Sequence, residues 1–244
     1  MATTGESAQF DMQSHPQPAR VPRLQTGDRM TRTEFERRYQ AMPQGVKCEL
    51  IEGQVYVMAS PVSAAGHSKP HFGFIGWLAF YESHTRGVCG YDNPTIRLDH
   101  DNEPQPDACL RILSECGGQS RISSDDYIEG PPELVAEISA TSASVDLHDK
   151  LHTYRRNGVK EYIVWRTWDQ AIDWFVLKEG QFESLGAEAG VFKSIVFPGL
   201  WLDAAAMLSG DKTRVMETAQ AGVRTPEHAA FLQQLTQQGT QETK

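Results

Sequence analysis

Three residues of this chain stand in contexts where their chemistry matters: Asp107, Glu137 and Lys150. Asp107 ends the loop segment Gln105-Pro106-Asp107 and opens an apolar run. Pro106 keeps Gln105 extended and brings no N–H to a ladder, so the Asp107 carboxylate is expected at the rim of a sheet. Glu137 interrupts the apolar run from Leu134 to Ser139. Strand alternation puts Leu134, Ala136 and Ile138 on one face and Val135, Glu137 and Ser139 on the other. A carboxylate inside a buried strand needs a partner or a metal. Two carboxylates on adjacent strands repel unless a cation lies between them. Mg2+ suits that place, because it takes one or two carboxylates and keeps waters for a phosphate; Mn2+ is the expected substitute. Asp146, Lys150 and Tyr154 follow at four-residue spacing and share one helix face. An ammonium there can orient an attacking water and offset developing charge. Taken singly, Asp107 reads as a loop residue, Glu137 as a solvent-facing strand residue and Lys150 as a solvated helix residue. Their order and strand contexts carry the signal.

Other chemistry is thinner. His67 and His71 are four apart and could hold a metal on one helix face, but no third ligand has matching spacing, so a structural or substrate-facing pair is the expectation. No G-x-S-x-G elbow, P-loop or H-E-x-x-H helix occurs, which leaves a hydrolase of another class with little support. Cys48, Cys89, Cys109 and Cys116 have no C-x-x-C spacing, so they are expected as reduced thiols, Cys48 and Cys109 as small core residues. Trp77, Trp165, Trp168, Trp174 and Trp201 are expected as core or dimer contacts in preference to base-stacking platforms.

The elements that must position these residues can be read in outline. Thr31-Arg32-Thr33-Glu34 forms a capping-box pattern and predicts a helix to about Met42. Residues 48–58 predict two short strands about the Glu52-Gly53 turn. Ser63–Arg86 predicts a helix, with Phe74, Ile75, Leu78 and Tyr81 at helical spacing and Gly87 as the stop. Strands are predicted at 88–91, 95–98, 108–113, 134–139, 161–166 and 172–177, with peripheral strands at 182–185 and 194–197. A helix over 144–157 ends at Gly158, with Arg155 and Arg156 in its last turn. The order is an α/β pattern, a mixed sheet flanked by helices.

The chain has 244 residues and a formal net charge of −9. Residues 1–28 are expected as a flexible arm, 29–208 as one domain, and 209–244 as a Gln-rich, partly helical tail. No run of about 18 apolar residues predicts a membrane span, and no leader peptide is evident, so a cytoplasmic protein is expected. The acidic total argues against a strongly basic nucleic-acid binder. Its distribution is uneven: residues 97–137 hold ten acidic and three basic residues, whereas 150–178 hold six basic and three acidic and 29–47 hold five basic and two acidic. A bound divalent ion would offset part of the acidic segment. The two basic segments could contact phosphate, or merely solvate the surface.

These residues also carry a resemblance. Cys48 to Gln54, Ser60-Pro61 with His67, Gln105-Pro106-Asp107, Pro132 to Ser139, the set Asp146, Lys150 and Tyr154, and Gly158 to Val164 together resemble the Uma-type putative restriction endonuclease family of the PD-(D/E)XK nuclease superfamily. The resemblance spans about Thr31 to Leu177. It implies a restriction-endonuclease-like core and Mg2+-dependent hydrolysis of phosphodiester bonds. Asp107 would be the motif's Asp and Glu137 its acidic strand residue, with the Ile138 carbonyl as a further metal ligand. Ser139 stands where the superfamily's usual lysine would be, which points to Lys150 from the following helix. Glu49 matches an additional acidic position. Cys48, Ser68 and Ala140 depart from residues common in the family, and none of the three is a proposed ligand.

The leading expectation is therefore a DNA endonuclease in which Asp107 and Glu137 hold the metal, Lys150 assists the attacking water, and Glu49 stands nearby. Cleavage of both strands favours a homodimer. The alternative is a catalytically inactive nuclease-like binding or regulatory module.

Overall fold

The computed structural model describes residues 21–58 and 63–241. Residues 1–20 of the expected arm, Ser60 and Pro61 of the resemblance, and residues 242–244 lie outside the described residues.

The β-branched and aromatic runs pair into a six-stranded sheet. Its order across the sheet is Gln181–Ser184, Ala171–Lys178, Glu161–Arg166, Leu134–Ser139, Ala108–Ile112, Val88–Asp92. Leu134–Ser139 and Glu161–Arg166 run parallel, and every other pair is antiparallel. A parallel pair needs a crossover, and the helical segment from Ala143 to Arg156 supplies it. The middle of that segment, Asp146–Lys150, is wound as a π-helix.

Alternation sorts the central strands onto two faces. On one face, Ala108, Leu110, Leu134, Ala136, Ile138, Ile163 and Trp165 pack with Phe74, Trp77, Leu78 and Tyr81 of the helix Lys69–His84. On the other, Cys109, Val135, Tyr162 and Val164 pack with Tyr154, Val159, Ile96 and Ile128. The hairpin Cys48–Ile51 and Gln54–Val57 forms a third cluster with Leu24 and Phe35. At its turn Glu52 and Gly53 both take positive φ, 50° and 72°, as a two-residue turn of mirror-image type requires.

Several expectations need correction. Thr31 precedes the helix Arg32–Tyr39 but makes no side-chain cap bond. Glu34 turns instead to Arg37 and Arg38, at 2.7 and 2.6 Å, and these guanidiniums hold its carboxyl down to about 2. Residues 194–197 are not a strand; the short pairing is Val191–Lys193 with Trp201–Asp203. The buried Glu161 carboxylate explains this, because it accepts from the N–H groups of Ile195 and Val196 and from Ser194 Oγ and Trp174 Nε1. Those backbone donors are thereby withdrawn from any ladder.

Residues beyond 208 form the helices Lys212–Gly222 and Pro226–Gln241, whose Val215, Ala219, Phe231 and Leu235 belong to the largest core cluster. Residues 21–28 are tied to the hairpin through Leu24 and through the Gly27 N–H to the Val55 carbonyl. Trp77, Trp165 and Trp174 are core residues, whereas Trp168 is 67% exposed. Cys48, Cys89 and Cys109 are free thiols, and Cys48, Cys109 and Cys116 are buried.

Candidate active site

The register places Ala108 opposite Ala136, so Asp107 and Glu137 are the next opposed positions at that end of the pairing. Opposed residues of an antiparallel pair point to the same face. Here it is the face of Val135 and Cys109, under the helical crossover. The sheet therefore delivers both carboxylates to one place, as strand alternation implied.

Lys150 reaches them from the π-wound segment. Its ammonium lies 3.0 Å from Glu137 Oε1, 3.0 Å from Glu49 Oε2 and 3.8 Å from Asp146 Oδ1. Tyr154, one turn on, donates to Glu137 Oε1 at 3.1 Å. Glu49 comes from the hairpin strand and accepts from the Gln105 N–H at 2.7 Å, which ties the hairpin to the loop that presents Asp107. Asp146 is held by Ser142 Oγ at 2.6 Å. Glu49, Glu137, Asp146 and Lys150 are all buried. Ser139 is buried too and contacts Ser142, and the cation at this site comes from Lys150.

The electrostatics follow from three carboxylates around one ammonium, with Asp107 beside Glu137. Burial pushes Glu137 well above the usual carboxylate range, and the charges of Asp146, Asp107 and Glu49 add to the rise against the opposing Lys150. Burial alone would lower Lys150, but the three carboxylates around it win and hold it well above its ordinary value. Asp107 behaves differently. Burial raises it, but the hydrogen bond and charge of His67 and the Ile138 N–H outweigh that and hold it below its ordinary value. The cluster thus sets an Asp107 carboxyl shifted down against a Glu137 carboxyl and a Lys150 ammonium that are both shifted up. Its excess negative charge and hard oxygen donors fit a divalent cation such as Mg2+. The Ile138 N–H donates to Asp107 Oδ2 at 2.7 Å, which fixes that carboxylate beside the strand bearing Glu137.

Sequence reasoning missed the far side of Asp107. His67 Nε2 lies 3.1 Å from Asp107 Oδ1, and His71 Nε2 lies 2.9 Å from the Asp107 carbonyl oxygen and 3.1 Å from Asp92 Oδ1. The third partner of the histidine pair is forty residues away in sequence, so spacing along the helix could not reveal it.

Beyond the centre, much of the basic charge is already paired. Arg156 meets Glu52 and Asp99, Arg166 meets Asp169 and Asp173, and Arg37 meets Glu34. Beside the His67 turn lies a cavity of about 210 Å³, lined by Lys69, Trp168, Lys212 and apolar groups. Thr167 ties its wall to the site by donating to the carbonyls of Gly66 and Ser139.

The family model described as Uma2, putative restriction endonuclease, matches residues 32–205. Among solved structures, the chain is similar to a putative nuclease belonging to DUF820 from Anabaena variabilis, with 12% identity and a TM-score of 0.53, over 71% of this chain and 96% of that one. That likeness shows a shared mixed-sheet fold. No curated protein matches.

Proposed function

The chain belongs to the Uma2 family of putative restriction endonucleases, and on that premise we propose that it is a metal-dependent endonuclease hydrolysing phosphodiester bonds in DNA. The observation that carries this reading is the meeting of Lys150 with Glu137 and Glu49 on the face where Asp107 and Glu137 are opposed.

Asp107 and Glu137 would hold Mg2+, with the Ile138 carbonyl as a further ligand. Such an ion supplies Lewis-acid charge at the phosphate and eases ionisation of a nearby water. The chain's own groups do the rest. Lys150, kept protonated by its carboxylates, donates to the attacking water and offsets charge growing on the phosphate. Glu49 and Asp146 fix the lysine from two sides, so its ammonium is positioned before substrate arrives. Tyr154 holds Glu137 in one rotamer through its hydroxyl. Glu137 would leave its partners Lys150 and Tyr154 in part to act as a ligand, so occupation of the site competes with these two bonds.

The ion pairs of the exposed Arg37 and Arg156 cost little to open, so these side chains remain available to DNA phosphates. Cleavage of both strands fits a homodimer. A cytoplasmic setting accords with the free thiols of Cys48, Cys89 and Cys109; no helix among the described residues is long and apolar enough to cross a membrane.

One observation favours a second reading, an inactive nuclease-like binding module: Glu137 Oε1 already accepts from the Lys150 ammonium and the Tyr154 hydroxyl. Incubation of supercoiled plasmid with the purified chain separates the two. Nicking that needs Mg2+ or Mn2+, stops with chelator and is lost in Asp107→Ala supports the enzyme. Absence of any nicking with either ion sinks it.

A further inference from the structure

We infer that His67, His71 and Asp107 form a binding site for a divalent transition metal of the Zn2+ class, distinct in donor chemistry from the all-oxygen site proposed for Mg2+. The two imidazoles come from successive turns at the start of the second helix, His67 in the π-wound turn Ala64–Ser68 and His71 in Lys69–His84. Their rings meet edge to face with centroids 5.4 Å apart. One donor atom from each of His67, His71 and Asp107 lies within 4.8 Å of the others.

Hydrogen bonding alone leaves this cluster short of protons. An imidazole nitrogen carries at most one, yet His71 Nε2 faces both the Asp107 carbonyl oxygen at 2.9 Å and Asp92 Oδ1 at 3.1 Å. His67 Nε2 faces a third oxygen, Asp107 Oδ1, at 3.1 Å. Two nitrogens thus converge with three oxygens, and one of these belongs to a carboxylate only 7% exposed. A charge buried to this degree is held by donors or by a cation, and a cation would satisfy all three oxygens at once. The spacing suits one as well. Ligands at about 2.0–2.2 Å from a metal stand roughly 3.0–3.5 Å from each other, so the 3.1 Å His67–Asp107 separation is already close to a coordination edge.

Asp107 can serve both sites because its two oxygens are divided. Oδ2 takes the Ile138 N–H beside the strand that bears Glu137, and Oδ1 turns to His67. The His67 and His71 side chains keep 24% and 14% exposure, so the site is open to solvent. Two imidazoles and a carboxylate select Zn2+, Co2+ or Ni2+ over Mg2+, which binds oxygen. Asp92, 60% exposed, can close the set as a fourth ligand.

This inference shares Asp107 with the nuclease reading but does not depend on it. The test is titration of the full chain with Co2+, followed by visible absorption, and with Zn2+ by calorimetry. The expected result is one equivalent of Zn2+ bound, ligand-field bands with Co2+ that Zn2+ displaces, and no displacement by excess Mg2+. His67→Ala and His71→Ala should each weaken Zn2+ binding by about 100-fold or more, with the fold checked by circular dichroism. Glu137→Gln should keep the Co2+ bands while losing any cleavage, which separates this site from the hydrolytic one. The surface pair His148 and His152 is the natural competitor, four apart on the crossover helix. Bands lost in His148→Ala/His152→Ala and kept in His71→Ala would overturn the assignment. So would the absence of Co2+ bands in the unaltered chain.

Discussion

Replacing Lys150 by Met removes the one ammonium from a buried group of carboxylates while keeping most of the side-chain volume. Lys150 is 3% exposed, with Glu137 Oε1 and Glu49 Oε2 each at 3.0 Å and Asp146 Oδ1 at 3.8 Å. Taking away one partner of a buried ion pair costs about 3–5 kcal/mol, because the remaining charge stays buried without compensation. For a chain of this length each kcal/mol shifts Tm by about 2–4 °C, so Lys150→Met should melt roughly 6–20 °C lower at pH 8. The sign of the pH dependence follows from the carboxylates left behind. Burial already raises Glu137 and Asp146, and without the opposing ammonium both rise further, so the folded variant holds protons that the unfolded chain releases. Its stability is therefore greatest at low pH and is lost as pH rises through those raised values. The variant should lose distinctly less stability at pH 5 than at pH 8. Urea unfolding at the two pH values, with the unaltered chain alongside, measures both quantities. A loss below about 1 kcal/mol at pH 8, or an equal loss at both pH values, would refute the claim that Lys150 neutralises this cluster.

Four further outcomes are expected. Burial, then the neighbouring Glu36, push Glu103 up to about 8, so its folded state keeps a proton that the unfolded chain loses above about 4.5. Stability from this group is present below pH 4.5 and fades toward pH 8, with a slope of up to about 1.4 kcal/mol per pH unit; Glu103→Gln should flatten that slope in urea titrations between pH 5 and 8. Glu161→Ala strands the N–H groups of Ile195 and Val196 and should cost about 3 kcal/mol or more, read by thermal unfolding. Tyr154→Phe removes one bond to Glu137, so stability should change by only about 1 kcal/mol while the cleavage rate falls about tenfold or more. Truncation after Leu208 removes Val215, Ala219, Phe231 and Leu235 from the main core and should abolish cooperative unfolding in calorimetry.

Those residues also mark what the sequence made legible. Strand alternation put Glu137 on the face opposite Ala136, and four-residue spacing aligned Asp146, Lys150 and Tyr154; both patterns are local, and both hold. The central strands were readable for the same reason, as runs of Val, Ile, Tyr and Trp. What escaped depends on contacts between distant segments. The run Ser194 to Phe197 has strand composition, yet a carboxylate from Glu161 captures its N–H groups. Thr31 and Glu34 match a capping box, yet two arginines compete for the Glu34 carboxylate and win. The histidine pair lacked a third ligand until folding brought Asp107 to it. The glutamine-rich end was different: Val215 with Ala219 and Phe231 with Leu235 are four apart, a buried-stripe signal masked by polar composition.

The central claim, that Asp107, Glu137 and Lys150 serve phosphodiester hydrolysis, is tested most directly by single-turnover cleavage of an end-labelled DNA duplex in Mg2+. The unaltered chain should cut it, and Glu137→Gln, which keeps the shape of the site but removes the ligand charge, should cut at least about 100-fold more slowly. Equal rates in the two proteins, or no cleavage by the unaltered chain in Mg2+ or Mn2+, would contradict the account.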